Sequence, residues 1–131
     1  FEAAEGLRWS HYLAPEGCVL LDSWRAVPPV VSSGVHRYPA DPAGEMRAAK
    51  RRVHEIDARG IAGRIGDARL ANSVMLGAAA SSLPFPEQTL RDQVTRRFSG
   101  EVAAQNAAAF DAGRANRHGA GRAEEHAVKL A

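Results

Sequence analysis

The sequence holds one cysteine, Cys18, in 131 residues. A lone thiol excludes an internal disulfide. It also excludes the cysteine sets that structural zinc and iron–sulfur clusters require. Cys18 lies in the apolar run Cys18-Val19-Leu20-Leu21, where a buried structural thiol is a better reading than a nucleophile. A reducing, cytoplasmic setting suits it. Long apolar runs are also missing. The longest, residues 74–80, is far short of the ~20 residues a membrane helix needs. An excess of charge of one sign is nearly absent: 17 Lys and Arg against 15 Asp and Glu give a formal net charge of +2, so the pI of 9.1 leaves little field for nucleic acid. Aromatics are 6% of the chain and do not interleave with arginines as they do in RNA-reading modules. The basic clusters Lys50-Arg51-Arg52, Arg96-Arg97 and Arg114, Arg117 and Arg122 read as solvated helix faces. Neither a nucleic acid nor a membrane is an expected partner.

Enzyme motifs are lacking as well. There is no P-loop. Gly60-Ile61-Ala62-Gly63-Arg64-Ile65-Gly66 imitates a dinucleotide fingerprint in spacing, but it falls inside a helical segment rather than after a strand. The histidines His11, His36, His54, His118 and His126 show no HxxxH or HxH spacing, so no metal site is expected. No Ser-His-Asp set is proposed, and no catalytic residue is assigned.

What is present is a globular composition, 45% hydrophobic and 24% charged, at the length of one domain. Residues 2–13 read as a helix stopped by Ala14-Pro15-Glu16-Gly17. Residues 18–21 suit a strand covered on both faces, and a helix followed by such a strand is half of a βαβ unit. Pro28 and Pro29 make residues 25–34 a loop or edge segment, in which Val30-Val31 is expected to pair briefly. One or two helical turns follow over 43–50, a strand over 53–56 and a helix over 58–65. Gly66 is expected to stop that helix and Asp67 to cap the next. Residues 68–83 read as the longest helix, apolar nearly all round, with Gly77 serving close helix packing. Pro86 opens an amphipathic helix with a Leu90, Val94, Phe98 stripe and an Asp92–Arg96 pair. The final helix is expected over 101–112, capped by Ser99 and ended by Gly113. Beyond it, 114–131 is a polar tail or carries a short terminal helix over 123–130.

Five polar residues stand out. Ser32 and Ser33 precede Gly34 in a loop and offer hydroxyls to a phosphate or carboxylate; a plain turn is the simpler reading. Asp57, like Asp22, follows a candidate strand, at the edge where parallel α/β sheets bind ligands. It equally suits a helix cap. Asn72 and Asn106 each stand in a small-residue apolar helix, which points to burial. Asn106 shares a face with Val102, Ala109 and Phe110. A buried amide needs partners, so it locks a neighbouring helix in register or touches a ligand.

Several segments together resemble a family. These are Leu7-Arg8, Tyr12-Leu13, Pro15-Glu16-Gly17 before a hydrophobic strand, Pro28-Pro29-Val30, Tyr38-Pro39 and Ile56-Asp57-Ala58. Asn72-Ser73-Val74-Met75-Leu76-Gly77 and Asn106-Ala107-Ala108-Ala109-Phe110-Asp111-Ala112-Gly113 carry it most strongly. The series is similar to the gamma domain of 2-oxoacid:ferredoxin oxidoreductases, most of all in the indolepyruvate branch, with the pyruvate and 2-oxoisovalerate enzymes as relatives. The resemblance implies a Rossmann-like, three-layer α/β domain with a mostly parallel sheet, present in part, and a helix-rich C-terminal half. Residues 1–113 would be the C-terminal part of that domain. It also implies a complex that oxidatively decarboxylates a 2-oxoacid to an acyl-CoA and reduces ferredoxin. Thiamine diphosphate, iron–sulfur clusters and CoA would belong to that complex rather than to this chain alone, and the other subunits would be its partners. The chain opens on Phe1-Glu2-Ala3-Ala4-Glu5. The family's glycine-rich first loop and Arg-Gly-Gly segment are expected upstream of it. Asp57, Asn72 and Asn106 match family positions as architectural residues. Two other readings stand beside this one. The first is a CoA- or nucleotide-binding module using Asp22, Ser32, Ser33 and Lys50-Arg51-Arg52. The second is a non-catalytic association domain.

Overall fold

A computed structural model describes residues 2–27, 29–34 and 37–128; for 29–30 and 118–128 it describes the backbone alone. Pro28, His36, Lys129 and Leu130 lie outside the described residues, with whatever was expected of them. The chain forms two compact units, Phe1–Asp57 and Ala58–Ala131.

In the first unit, helix α1 spans Ala3–Trp9 and closes in a 3-10 turn, Ser10–Tyr12. Strand β1, Cys18–Asp22, follows the Pro/Gly turn as expected. The four-residue helix α2, Pro29–Ser32, then occupies the place where Val30-Val31 was expected to pair. Proline at a first helical position presets the backbone for a turn rather than an extended edge. Helix α3 is Pro42–Ala48, with Asp41 at its N-cap accepting from the Gly44 amide at 2.9 Å. Strand β2 is Arg52–Ile56. The two strands pair in parallel, with Cys18 opposite Arg52 and Asp22 opposite Ile56. Glu2 forms a single parallel bridge with Asp22. Val19 and Leu21 are buried while Cys18, Leu20 and Asp22 are half-buried, so β1 alternates rather than burying both faces equally. Val19, Leu21, Ala43 and Met46 form a core on which Leu7, Leu13 and Val53 pack. Alternate residues of a strand share a face, so α1 and α3 cover the same side of the sheet.

The turn from α3 into β2 is a Schellman motif. The Lys50 amide donates to Arg47 and the Arg51 amide to Met46, both at 2.9 Å. Lys50 takes the left-handed conformation (φ 58°) that glycine usually supplies there.

Among its described residues the second unit forms helices and turns and no strand. Helix α4 spans Ala58–Ile65, and Gly66 follows it at φ 138°. Asp67 caps the 3-10 turn Ala68–Leu70, accepting from the Arg69 amide at 2.8 Å. Helix α5 is Ala71–Ala79 and a second 3-10 turn runs over Ala80–Ser82. The helix expected over 68–83 is present as a continuous helical run over 68–82, α-helical in its middle and 3-10 at both ends. It stops at Leu83, which Pro84 holds extended (ψ 149°). Helix α6 is Glu87–Arg96, and Asp92 takes a hydrogen bond from Gln88 at 2.7 Å rather than the expected pairing with Arg96. The longest helix is α7, Gly100–Val128. It runs straight through Gly113, where an end was expected.

The reason lies in packing. A Cβ on Gly77 would stand 2.8 Å from the carbonyl carbon of Phe110, and one on Gly113 2.7 Å from that of Val74. Each glycine of the α5–α7 crossing thus seats the backbone of the other helix. Glycine disfavours a helix by about 1 kcal/mol but does not break it; here its missing side chain admits the close approach. Val74 and Phe110 beside the two glycines are fully buried. The chain is accordingly a partial α/β, Rossmann-like domain with a helix-rich C-terminal half.

Candidate functional site

Parallel α/β folds bind ligands at the carboxyl ends of their strands, and that edge of the first unit is organised around Glu2. Its Oε2 accepts from the amides of Ala4 (3.1 Å) and Glu5 (3.2 Å), capping α1. Its Oε1 accepts from the Ala26 amide at 3.4 Å and from the Tyr38 hydroxyl. Arg25 lies 5.5 Å from the centre of the Tyr38 ring and donates to the Ala40 carbonyl at 2.9 Å. One carboxylate thereby joins the start of α1, the link after β1 and the link before α3.

Burial alone would raise the Glu2 pKa. The Tyr38 hydroxyl and the Glu5, Ala4 and Ala26 amides outweigh it and hold the carboxyl below its usual range. Burial, then the hydrogen bond to Glu2 and its charge, push Tyr38 up to about 12, against a smaller opposing effect of Arg25. Glu2 therefore stays ionised and Tyr38 stays a neutral donor across the physiological range. Neither is poised near neutrality as a general acid or base must be, so the cluster is a clasp. It was not read from the sequence. Glutamate is not a preferred N-cap type, and Ala26 and Tyr38 lie 24 and 36 residues away along the chain.

The five residues singled out from the sequence are divided between the units, with Ser32, Ser33 and Asp57 in the first and Asn72 and Asn106 in the second. Ser32 ends α2, and Ser33 lies in the turn that follows; both are exposed. Asp57 is exposed at the junction of β2 and α4. Asn72 is exposed on α5, so the chain's own packing does not bury it. A helix as short and as mixed in packing as α5 keeps a solvent face despite its composition. Asn106 is buried, at 6% exposure, and its amide is consumed internally. It accepts from the Ser73 hydroxyl at 2.6 Å and donates to the Val102 carbonyl at 2.8 Å. Of its two readings, the geometry favours the register lock between α5 and α7.

The basic triad does not meet the carboxyl edge either. Arg52 begins β2 and Asp22 ends β1, so the register sets them at opposite ends of the ladder, about 13 Å apart at ~3.3 Å per residue. Arg51 donates to the Leu13 carbonyl at 3.3 Å, and Arg52 donates to that of Glu16. These arginines close the turn leading into β1. The CoA- or nucleotide-binding module, which needed them beside Asp22, loses its phosphate-neutralising group.

In the second unit the polar organisation is again between helices. Arg91 of α6 makes a bidentate pair with Asp111 of α7, with N–O distances of 2.8–3.0 Å. Arg114 approaches Asp111 and Glu87 at 3.6 Å each. The Arg91 hydrogen bonds, against partial burial and with the charges of Arg91 and Arg114, hold Asp111 below the usual carboxylate range. Among the described residues no group of three or more His, Cys, Asp or Glu could hold a metal ion, and no helix is long and apolar enough to cross a membrane.

Fold and polar network together define a part of an α/β domain whose distinctive polar groups join its own elements. The chain belongs to the pyruvate ferredoxin/flavodoxin oxidoreductase family, whose model matches residues 1–116. It is also similar to indolepyruvate oxidoreductase subunit IorB of Archaeoglobus fulgidus, with 28% identity over 116 residues, 86% of this chain. The chain spans 58% of that relative's length. No solved structure matches it. The family assignment agrees with the resemblance carried by the two asparagine-bearing motifs, and the match runs past Gly113 within α7.

Proposed function

We propose that this chain acts inside a 2-oxoacid ferredoxin oxidoreductase complex as a non-catalytic part of one subunit. The complex would oxidatively decarboxylate an indolepyruvate- or pyruvate-type 2-oxoacid to its acyl-CoA in the cytoplasm, with ferredoxin as acceptor. The observation that carries the reading is the family match over residues 1–116. The polar groups described above support the non-catalytic half of it, since Glu2, Tyr38, Asn106 and Asp111 are engaged with the chain's own backbone and side chains.

Two features of the chain support a reading in which the cofactors of such a complex are held elsewhere. An iron–sulfur cluster takes several cysteine thiolates and the chain has only Cys18. For CoA, the one run of three basic residues lies at the amino edge. In this reading those groups sit on partner subunits or domains. The test is reconstitution. The purified chain with thiamine diphosphate, CoA, a 2-oxoacid and a dye acceptor is expected to show no turnover, and addition of the thiamine diphosphate-bearing subunit to restore it. Turnover by the chain alone would overturn the non-catalytic assignment.

A further inference from the structure

The amino edge of the first unit carries a surface that nothing above uses. Trp9 and Tyr12 are 44% and 74% exposed at the end of α1, on a chain with few aromatic residues to place there. Their rings stack 5.6 Å apart, and His11 lies 4.1 Å from Tyr12. The cluster is held in shape. The Trp9 indole N–H donates to Glu5 at 3.0 Å, Arg8 covers the Trp9 ring at 5.3 Å, and the His11 Nδ1 meets the Arg8 carbonyl at 3.0 Å. The turn that follows is closed by Arg51 and Arg52, so both guanidinium groups flank the same edge, with exposed Lys50 just before them. A rigid aromatic group ringed by arginine has the composition of an interface hot spot.

We propose that this edge is a docking face for an acidic surface of a partner subunit. The inference rests on the reading that the chain works within a complex. Charge complementarity chooses the partner: Arg8 and Glu5 pair with each other, and Lys50, Arg51 and Arg52 outnumber Glu16. A single-stranded nucleic acid would also use aromatic rings and arginine. It needs open ring faces, however, and those of Trp9 are shared with Tyr12 and Arg8. The chain's net charge of +2 favours it no further.

The experiment co-expresses the tagged chain with the thiamine diphosphate-bearing subunit and measures their affinity at low and moderate salt. Trp9→Ala and Tyr12→Ala are expected to weaken binding at least about tenfold. The pair Arg8→Glu and Lys50→Glu is expected to slow association, most strongly at low salt. Carbodiimide treatment of the wild-type complex is expected to join Lys50 to a partner Asp or Glu. Circular dichroism checks that each variant folds, and Tyr12→Ala, at the most exposed ring, serves if Trp9→Ala does not. Wild-type affinity in all variants overturns this face while leaving the complex intact. Failure of the wild type to bind the subunit overturns both. A self-association, or binding to an oligouridylate, that these variants abolish would reassign the face and overturn the proposal.

Discussion

A buried amide that loses its partners keeps the cost of its desolvation, and this makes Asn106 the residue to test first. Its carbonyl oxygen accepts a hydrogen bond from the Ser73 hydroxyl and its NH₂ donates one turn back to the Val102 carbonyl. Asn106→Ala leaves the Ser73 hydroxyl without its acceptor and opens a small void at the α5–α7 contact. The expected loss is about 1–3 kcal/mol of unfolding free energy in urea titration. Ser73→Ala should cost less, about 1 kcal/mol, and the double variant should fall short of the sum by ~0.5 kcal/mol or more, because the two share one bond. The place of Asn106 on an apolar face was legible from helical spacing alone. The exposure of Asn72 was not: composition tells that a helix is apolar, and only its neighbours decide which side they cover. Glu2 was illegible for a related reason, since its role depends on contacts with residues far along the chain.

Among the elements, the α5–α7 crossing decides the second unit. Gly77 and Gly113 each face the other helix's backbone, at a carbonyl that has no rotamer to move away. In an isolated helix, alanine in place of glycine is favourable by about 1 kcal/mol. Here the steric conflict should reverse the sign. Gly77→Ala and Gly113→Ala are each expected to lower stability by about 1–3 kcal/mol or more, read as a fall in the midpoint of thermal unfolding. Glycine at an exposed site of the same helices would respond the other way, so a rise in midpoint for either variant would remove the close crossing. The sequence suggested the packing role of Gly77 but treated Gly113 as a helix end, because a glycine at a cap and one at a crossing look alike until the facing helix is known. Strand β1 was legible as an apolar run between turn residues, and β2 from its apolar residues at 53 and 56. The helix α2 was not, because a proline followed by two valines suits an extended segment as well as a single turn.

At the scale of the whole chain, the charged networks of the two units differ in how they meet pH. Glu2 in the first unit and Asp111 in the second have folded-state pKa values below their unfolded ones, near 4.5 and 3.8. Their contributions are fully present above those unfolded values and are lost as pH falls through the lower, folded ones. Both units should therefore weaken in acid. Tyr38 runs the other way. Its pKa rises from 10.0 to about 12, so its contribution is complete below 10.0 and is lost as pH climbs toward 12. It belongs to the first unit; in the second unit's network of Arg91, Asp111 and Arg114, the Asp111 hydrogen bonds raise Arg91 from a value already above Tyr38's range, so it holds through the alkaline transition of the clasp. Both tryptophans, Trp9 and Trp24, also lie in the first unit, while most helical residues lie in the second. Tryptophan fluorescence and far-ultraviolet circular dichroism thus report the two units separately. In acid the two signals should change together. In alkali the fluorescence should change first, with phenolate absorbance following the same midpoint, while the helical signal persists. Tyr38→Phe should remove that alkaline phase and leave the acid transition of the second unit in place. Coincident alkaline transitions by both probes, unaltered in Tyr38→Phe, would show that the Glu2–Tyr38 clasp does not hold the first unit together.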